Sequence, residues 1–218
     1  MLNIQNLSFS YNGKDNVLNN LSLSIEKGDF IGIMGPNGAG KTTLFNILTG
    51  VNTSYHGSIK LYDKEISTIP AKERAKIIVL LPQETNIDNP ITGLELVLMG
   101  RMPHSRHLFD QQSDIDIAAQ MMELTGSIEF ANTPVANLSG GQKKKVLIAK
   151  ALAQQPQLLL LDEPLSSLDA ASQEDIMELL KRLNTENKLT IMLTGHNEKV
   201  IEQYCIRAYD IKNTVLGD

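Results

Sequence analysis

Residues 35–43 (GPNGAGKTT) constrain the fold of this 218-residue chain more than any other segment. They follow the apolar run Phe30–Met34, which is typical of a buried strand, and precede a helix-like stretch over residues 44–49. A glycine-rich turn between a strand and a helix points successive backbone N–H groups outward, and the helix N-terminus adds partial positive charge. The segment therefore predicts a phosphate-binding loop at the carboxyl end of a buried strand.

The residue types within this loop suit a nucleoside triphosphate. Glycines such as Gly38 and Gly40 allow close approach of a phosphate chain, Lys41 can reach the terminal phosphates, and the Thr42 hydroxyl can ligate Mg²⁺. The alternative is a glycine-rich surface turn with a solvated lysine. The complete G-x-x-x-x-G-K-T pattern between a strand and a helix favours the nucleotide site.

Three further apolar runs end in polar side chains that could join this loop. They are residues 77–81 with Gln83, residues 158–161 with Asp162 and Glu163, and residues 189–193 with His196. Ligand groups in doubly wound sheets lie at the carboxyl ends of the parallel strands, so these side chains are expected at one rim. Adjacent carboxylates at such a rim need a cation, a water or a ligand.

These polar residues differ in the chemistry they can support. In a phosphate-loop protein, Asp162 is expected to hold the Mg²⁺ shell and Glu163 to polarise a water for attack on the γ-phosphate. A neutral imidazole at His196 can both donate and accept hydrogen bonds, which suits a γ-phosphate or a catalytic water. Taken singly, Gln83 could simply end a strand, and a lone histidine is more often structural.

The rest of the chain predicts an α/β fold with an added helical region. Residues 2–25 alternate apolar and polar positions, which indicates antiparallel strands with one wet face. Residues 86–137 lack further strand-like runs and predict a mostly helical insertion, which could form a small lobe. The residues after His196 predict a short strand-like tail.

Residues 138–142 (LSGGQ) precede a helix predicted over residues 143–154, and two interpretations remain open. Ser139 followed three residues later by Gln142 matches a capping box, so the segment could simply begin a helix. A hydroxyl, bare glycine backbone and a helix N-terminus could also form an anion site. The segment alone favours neither.

Composition excludes several classes of protein. The 20 basic and 25 acidic residues give a net charge of −5, without the basic surplus expected for a nucleic-acid partner. The single cysteine, Cys205, cannot form an internal disulfide and fits a reducing compartment. No apolar run approaches the roughly twenty residues of a membrane helix, and the N-terminus lacks a signal-peptide pattern, so any membrane role is expected to act through a partner.

Taken together and in order, these motifs resemble the ATP-binding cassette (ABC) family, the ATPase subunits of ABC transporters. The matching segments are a Walker A loop at residues 35–43, a Q-loop glutamine at Gln83, the signature at residues 138–142, Walker B at residues 158–162 followed by Glu163, a D-loop at residues 167–169 and the switch histidine His196. Each pattern is short, but six in the expected order are specific.

The resemblance implies a single domain over residues 1–218 with a P-loop NTPase (RecA-like) core, an antiparallel β lobe, and a helical lobe over about residues 86–140 that leads into the signature. It implies an ATPase with ATP and Mg²⁺ as cofactors. The residues that it implies for nucleotide binding are Tyr11, Gly35, Asn37, Gly38, Gly40, Lys41, Thr42, Thr43, Ser139, Gly140, Gly141 and Gln142. Those that it implies for metal binding are Thr42, Gln83 and Asp162. The implied catalytic residues are Glu163, His196 and Gln83. Tyr11 stands where the family stacks an aromatic ring on adenine, although a core or surface tyrosine is the alternative.

The resemblance also implies partners. Two cassettes of this family pair head to tail, so Ser139 of a second copy would cover the γ-phosphate held by Lys41. Integral permease subunits would hold the pair at the cytoplasmic face of the membrane, and a substrate-binding protein would deliver the cargo. No nucleic-acid partner is expected.

A finer resemblance involves residues 98–104 (LMGRMPH). The Gly100-Arg101-x-Pro103-His104 pattern is similar to the ATPases of iron-siderophore, haem and vitamin B12 importers, which implies import of such a chelate. The alternative is a solvated loop after a helix that ends at Gly100. Lysines at 143–145 and 150 replace the more usual glutamines and arginines, which leaves bidentate contacts in doubt but removes no catalytic group.

Other functions share most of these motifs. An exporter ATPase would have the same core, and a cassette in DNA repair, chromosome organisation or translation would use ATP to close a clamp. A nucleotide sensor that dimerises without hydrolysis is a third possibility, and the presence of Glu163 and His196 argues against it.

Overall fold

The computed structural model describes residues 1–85, 87, 90–104 and 112–212. The strands in these ranges are β1 (Leu2–Phe9), β2 (Leu18–Ile25), β3 (Phe30–Met34), β4 (His56–Leu61), β5 (Lys64–Glu65), β6 (Ile78–Leu81), β7 (Leu158–Leu161), β8 (Thr190–Gly195) and β9 (Arg207–Asp210). The α-helices are α1 (Lys41–Thr49), α2 (Ala71–Ile77), α3 (Gly93–Leu98), α4 (Gln112–Leu124), α5 (Gly140–Ala153), α6 (Ala170–Asn187) and α7 (Glu198–Tyr204).

The first sheet is antiparallel and has the strand order β2-β1-β4-β5. Leu2 in β1 lies opposite Ile25 in β2 and Leu61 in β4, and all three side chains are buried. The neighbouring Asn3 is exposed, as the period of two along a strand requires. The predicted antiparallel strands with one wet face are therefore confirmed.

The second sheet is parallel and has the order β6-β7-β8-β3-β9. Its inner strands read as continuous apolar runs because both faces are covered. The carboxyl ends of β3, β6, β7 and β8 lie at one rim, where the phosphate-binding loop, Gln83, the acidic pair and His196 follow. The strand that precedes Gln83, β6, lies at one edge of this sheet.

Two hydrophobic clusters cover the two faces of the parallel sheet. Leu158, Leu160 and Met192 pack with α1 and the antiparallel sheet. Leu159 and Leu161, which alternate with them along β7, pack with α5 and α6. The parallel sheet is thus the middle layer of a three-layer α/β core, in agreement with the predicted fold class.

The region between β6 and β7 is helical in its described part, as predicted. Helices α3 and α4 both pack against α5, which begins at the LSGGQ segment, and short 3₁₀ turns lie at Met99–Arg101, Ile128–Phe130 and Val135–Asn137. The division of residues 86–140 into a separate lobe of one cassette domain stays a prediction.

The segment after β8 is more structured than a strand-like tail. It contains the short helix α7, which begins after Asn197 and buries Ile201 against β3, and then the edge strand β9, which pairs in parallel with β3. The expectation of a tail was wrong for α7 because a seven-residue helix with a single buried position has almost no periodicity to detect. Among the described residues, no helix has the length and apolar character that a membrane crossing requires.

Candidate functional site

The phosphate-binding loop has the strand–turn–helix geometry that the sequence predicts. Gly40 adopts a φ of 101°, in the left-handed region, and a Cβ atom there would lie 2.8 Å from Leu18 Cδ2. Only glycine meets both constraints without strain. Because Gly40 is also the N-cap of α1 and supplies no side-chain cap, the first-turn N–H groups of this helix stay available to an anion.

Lys41 is the first residue of α1, and its ammonium lies inside the site. The side chain is buried, with 5% of its surface exposed. Its Nζ donates to the carbonyl oxygens of Gly35 at 2.7 Å and Pro36 at 3.3 Å, and it lies 3.4 Å from Glu163 Oε1. A buried ammonium needs such partners, and these are the contacts that a phosphate chain would replace.

The two acids that follow β7 are held by groups from three other elements. Thr42 Oγ1 donates to Asp162 Oδ2 at 2.6 Å, and Gln83 Nε2 donates to Glu163 Oε2 at 3.1 Å. Thr194 Oγ1, near the end of β8, donates to Asp162 Oδ1 at 2.7 Å. The structure therefore brings Thr42, Gln83 and both acids together as predicted, and adds Thr194, which the sequence reasoning missed.

Two adjoining cavities share Glu163. The larger, of about 390 Å³, is the nucleotide-sized cavity beside the loop, and the smaller, of about 240 Å³, lies towards α6 and α7. Predicted residues lining the larger cavity are Tyr11, Asn37, Gly38, Gly40, Lys41, Thr42, Thr43, Gln83 and Glu163. His196 and Ser167 line the smaller cavity with Glu163, and His196 is not among the described residues that line the larger one.

Tyr11 stands at the mouth of the larger cavity. Its ring is 64% exposed, it packs edge-on against Phe9 at a centroid distance of 4.8 Å, and its hydroxyl lies 3.1 Å from Thr43 Oγ1. Asn52 Nδ2 donates to the same hydroxyl at 3.3 Å. The tyrosine is thus anchored to α1 rather than packed in the core, and Asn52 is a second contact that no sequence pattern indicates.

The LSGGQ segment is a capped helix start. Ser139 Oγ accepts from the Gln142 N–H at 3.3 Å, and Gln142 Oε1 accepts from the Ser139 N–H at 2.9 Å, which completes the predicted capping box. Gly141 passes close to α6, where an added Cβ would lie 2.9 Å from Ser172 Oγ, and the neighbouring Gly140 is exposed. Among the described residues, those lining the two cavities include none from residues 139–142, so this segment lies apart from the chain's own phosphate-binding loop.

The D-loop leads directly into α6. Asp169 is the N-cap of this helix, and its carboxylate accepts from both the N–H and the hydroxyl of Ser172 at 2.9 Å. These hydrogen bonds, led by the backbone bond from Ser172, lower the pKa of Asp169. Ser167 adopts a left-handed backbone with a φ of 63°. The D-loop therefore has a fixed geometry beside Glu163.

The Gly100-Arg101-x-Pro103-His104 pattern is buried in part, and its two key residues are structural. Arg101 Nε donates to Asp114 Oδ1 at 2.8 Å and Nη1 donates to the carbonyl of Ala153 at 2.6 Å, while a Cβ on Gly100 would lie 2.2 Å from the carbonyl oxygen of Lys150. The alternative of a solvated loop is therefore wrong. The exposed side chains of this stretch are Met99 and Met102.

Comparison with known proteins decides the family. The sequence profile of the ABC transporter family matches residues 18–166, which include the phosphate-binding loop, the LSGGQ segment and the acidic pair. The chain belongs to the ABC transporter family. It is 41% identical over 215 residues to the uncharacterized ABC transporter ATP-binding protein YvrA of Bacillus subtilis (strain 168). The aligned region covers 98% of this chain and 48% of YvrA. The cassette thus spans about half the length of that relative.

Two other relatives carry names that specify a cargo. The iron(3+)-hydroxamate import ATP-binding protein FhuC of Bacillus subtilis (strain 168) is 39% identical over 198 residues, or 90% of this chain and 73% of FhuC. The phosphonates import ATP-binding protein PhnC 1 of Halalkalibacterium halodurans is 34% identical over 221 residues, or 98% of this chain and 86% of that protein. The relatives therefore include importer ATPases with different substrates.

Solved structures share the whole fold. An inward-facing structure described as a metal-chelate type ABC transporter superposes with a TM-score of 0.87 at 29% identity, over 100% of this chain and 82% of that one. A dimeric post-hydrolysis state of the ATP-binding cassette MJ0796 with ADP and Pi superposes with a TM-score of 0.84 at 28% identity, over 100% of both chains. The cassette is therefore an ATP-binding ATPase domain with a P-loop core, an antiparallel sheet and associated helices.

Proposed function

We propose that this cassette is the ATP-hydrolysing subunit of an ABC importer. The observation that carries the proposal is the convergence of Lys41, Gln83 and Glu163 in one hydrogen-bonded group beside a nucleotide-sized cavity. The importer names of FhuC and PhnC 1 support the direction of transport.

Each of the site residues has a separate role in phosphoryl transfer. ATP draws Lys41 away from the carbonyl oxygens of Gly35 and Pro36 onto its terminal phosphates, and the ring of Tyr11 stacks on the base. Glu163 accepts the proton of the attacking water, and Gln83 orients that water. His196, which lines the adjoining cavity with Glu163, contacts the γ-phosphate.

The donor set also fits Mg²⁺. Thr42 Oγ1 and Asp162 Oδ2 lie 2.6 Å apart, and a hydroxyl and a carboxylate are the hard oxygen ligands that this ion prefers beside substrate phosphates. Within the described ranges, no group of three or more His, Cys, Asp or Glu side chains could hold a metal without such phosphates. When bound, Mg²⁺ neutralises charge that develops on the phosphate oxygens. Gln83 would complete its coordination.

A second copy of the chain supplies the rest of the site. Residues 139–142, which the structure describes, line neither of the two cavities beside Glu163 but offer a hydroxyl and a helix N-terminus, which suit a γ-phosphate held by another protomer. The dimeric MJ0796 cassette supports a pair of cassettes, and we infer that the pair is arranged head to tail. ATP binding and dimer closure are then linked, so that hydrolysis reopens the pair.

The membrane partners follow from the same proposal. Permease subunits hold the pair peripherally at the cytoplasmic face, and a substrate-binding protein delivers the cargo. An iron chelate, haem or corrinoid is the proposed cargo, supported by FhuC and by the metal-chelate type transporter, while PhnC 1 favours a phosphonate as the second candidate. Copurification with a permease, followed by stimulation of hydrolysis by one cargo class, separates the two. ATP-dependent binding to DNA or ribosomes without a permease would instead support a non-transport cassette.

The proposed chemistry is tested with Glu163→Gln, in which an isosteric amide cannot accept the proton. We expect ATP affinity within a few-fold of the parent and a fall in kcat of at least about 100-fold, because general-base catalysis contributes 10²–10⁴-fold. Glu186→Gln, an exposed change near the end of α6, is the matched control. Normal turnover by Glu163→Gln would exclude Glu163 as the base.

The dimer is tested separately with Ser139→Arg, which puts a bulky cation at the start of α5. The monomer should bind ATP with unchanged affinity, whereas ATP-induced dimerisation and hydrolysis should both be lost. Gel filtration of the ATP-bound protein and phosphate release measure the two effects. Equal hydrolysis by variant and parent would contradict the shared site.

A further inference from the structure

Thr194 joins the two acids of the site through one hydroxyl. It lies in β8 with 1% of its surface exposed, and its Oγ1 donates to Asp162 Oδ1 at 2.7 Å. The same oxygen accepts the backbone N–H of Glu163 at 2.8 Å. A hydroxyl has one proton to donate, and here that proton goes to the carboxylate.

The register of the parallel sheet explains how this threonine reaches the acids. Leu161 in β7 pairs with Leu193 in β8, so Asp162 and Thr194 follow at the next position of each strand. Met192 packs on the α1 face of the sheet, and the period of two places Thr194 on that same face. Thr42, the second residue of α1, lies on this side and donates to the other oxygen of Asp162. Both oxygens of the Asp162 carboxylate therefore accept a hydrogen bond, one from Thr42 and one from Thr194.

The contact with Glu163 supports an unusual backbone conformation. Glu163 has a φ of 45°, in the left-handed region that side-chain-bearing residues rarely adopt. The N–H of Glu163 donates to the Thr194 hydroxyl. The carbonyl oxygen of Glu163 accepts from the backbone N–H of Ser166 at 3.1 Å and from the Ser166 hydroxyl at 2.9 Å. This turn carries the Glu163 side chain towards Lys41 and Gln83.

We propose that Thr194 is a positioning residue that sets the orientation of Asp162 and the backbone turn of Glu163 at the same time. It acts through the two acids, to which its hydroxyl is hydrogen-bonded. The inference rests on the proposed function, because it assigns Asp162 to the metal and Glu163 to the proton. The hydroxyl of Thr194 thus has a role within that function, although β8 is a strand composed mainly of buried apolar residues.

The test compares three variants within one strand. Thr194→Val removes the hydroxyl without changing the shape of the side chain, and Thr194→Ser retains the hydroxyl. Thr190→Val is the matched control, since Thr190 is also buried in β8 and its hydroxyl also accepts a backbone N–H, from Gly28 at 3.0 Å, at the opposite end of the strand. All three are measured as the full chain, with MgATP turnover and with binding of a fluorescent ATP analogue in the presence and absence of Mg²⁺.

We expect Thr194→Val to lower kcat about 10–100-fold, as loss of an outer hydrogen bond to a metal ligand does, with KM changed less than about threefold. Metal-free analogue binding should match the parent, while the gain in affinity on adding Mg²⁺ should shrink. Thr194→Ser should recover turnover to within about threefold, and Thr190→Val should behave as the parent. A merely structural role would move Thr190→Val and Thr194→Val alike and leave the Mg²⁺ effect intact.

Three results overturn the inference: parental kcat in Thr194→Val, equal losses in Thr194→Val and Thr194→Ser, or an unchanged Mg²⁺ effect. If Thr194→Val does not fold, Thr194→Ala takes its place, and equal rates for Thr194→Ala and Thr194→Ser overturn the inference. Failure of the proposed function is distinct, because the parent would then show no ATP turnover or Glu163→Gln would retain it.

Discussion

Removing one member of the buried Arg101–Asp114 ion pair is expected to be among the most destabilising single changes in this cassette. The side chains of Arg101 and Asp114 are only 8% and 11% exposed, and the guanidinium also donates to the Ala153 carbonyl and to Gln155 Oε1. Arg101→Met keeps much of the apolar stem but leaves the carboxylate and two acceptors without their donor.

The magnitude follows from burial. Removing one partner of a buried ion pair costs about 3–5 kcal/mol, because the remaining charge is left uncompensated. At about 2–4 °C per kcal/mol for a domain of this size, Tm should fall by about 6–20 °C. The matched control is Lys145→Met, which breaks an ion pair to the 68%-exposed side chain of Asp175 and should cost less than about 1 kcal/mol.

Urea unfolding followed by circular dichroism measures both variants, and a double variant separates charge from packing. Arg101→Met combined with Asp114→Leu removes the stranded carboxylate, so it should be more stable than Arg101→Met alone. The reasoning is refuted if Arg101→Met loses no more stability than Lys145→Met, or if the double variant is the less stable of the two.

Two further predictions concern titratable groups. Burial raises the pKa of Cys205 from 9.0 to about 12. At pH 8 the folded chain should therefore contain about 1,000-fold less thiolate than the unfolded chain, and its reaction with iodoacetamide should be slower by the same factor. Native and denatured reaction rates within tenfold of each other would contradict this. The pKa of Lys144 is lowered mainly by burial and secondarily by the neighbouring charge of Lys143. Between the folded and unfolded pKa values, the unfolded state therefore binds more protons than the folded state. The free energy of unfolding should rise with pH in that range. Lys144→Met should therefore raise Tm at pH 7 and flatten that dependence, and a lower Tm in the variant would argue against a buried charge.

The parts of the site that the sequence predicts are those with local signals. The phosphate-binding loop is a continuous pattern, and Asp162 and Glu163 follow directly after four leucines. The rule that parallel strands present their carboxyl ends at one rim then brings Gln83 to the same place. Each step needs only neighbours in the chain and one general property of α/β sheets.

Residues whose roles depend on distant partners were missed or misjudged. Thr194 is a β-branched residue inside an apolar run and matches an ordinary strand position, and only the pairing of β7 with β8 brings it to Asp162. In the sequence, Arg101 belongs to an importer-like pattern with a solvated loop as the alternative, but its partners are Asp114 and the end of α5, 13 and 52 residues away. Sequence spacing carries no information on such contacts.

Arg101 and the signature hold opposite ends of the same helix. Ser139 caps the beginning of α5, while Arg101 binds the carbonyl of Ala153 at its end, close to where Gly100 packs on the helix. Helix α3 follows Gln83 in the chain and packs against the same helix α5.

The resting arrangement of Lys41 links binding to catalysis. With the ammonium 3.4 Å from Glu163 Oε1, part of the negative charge of that carboxylate is already neutralised, and the amide of Gln83 holds its other oxygen. Both carboxylate oxygens of Glu163 are thus engaged by side chains of the site. In the proposed mechanism, phosphates that draw Lys41 away would leave Oε1 of Glu163 open to the attacking water, so the geometry for proton transfer would form only as the substrate binds.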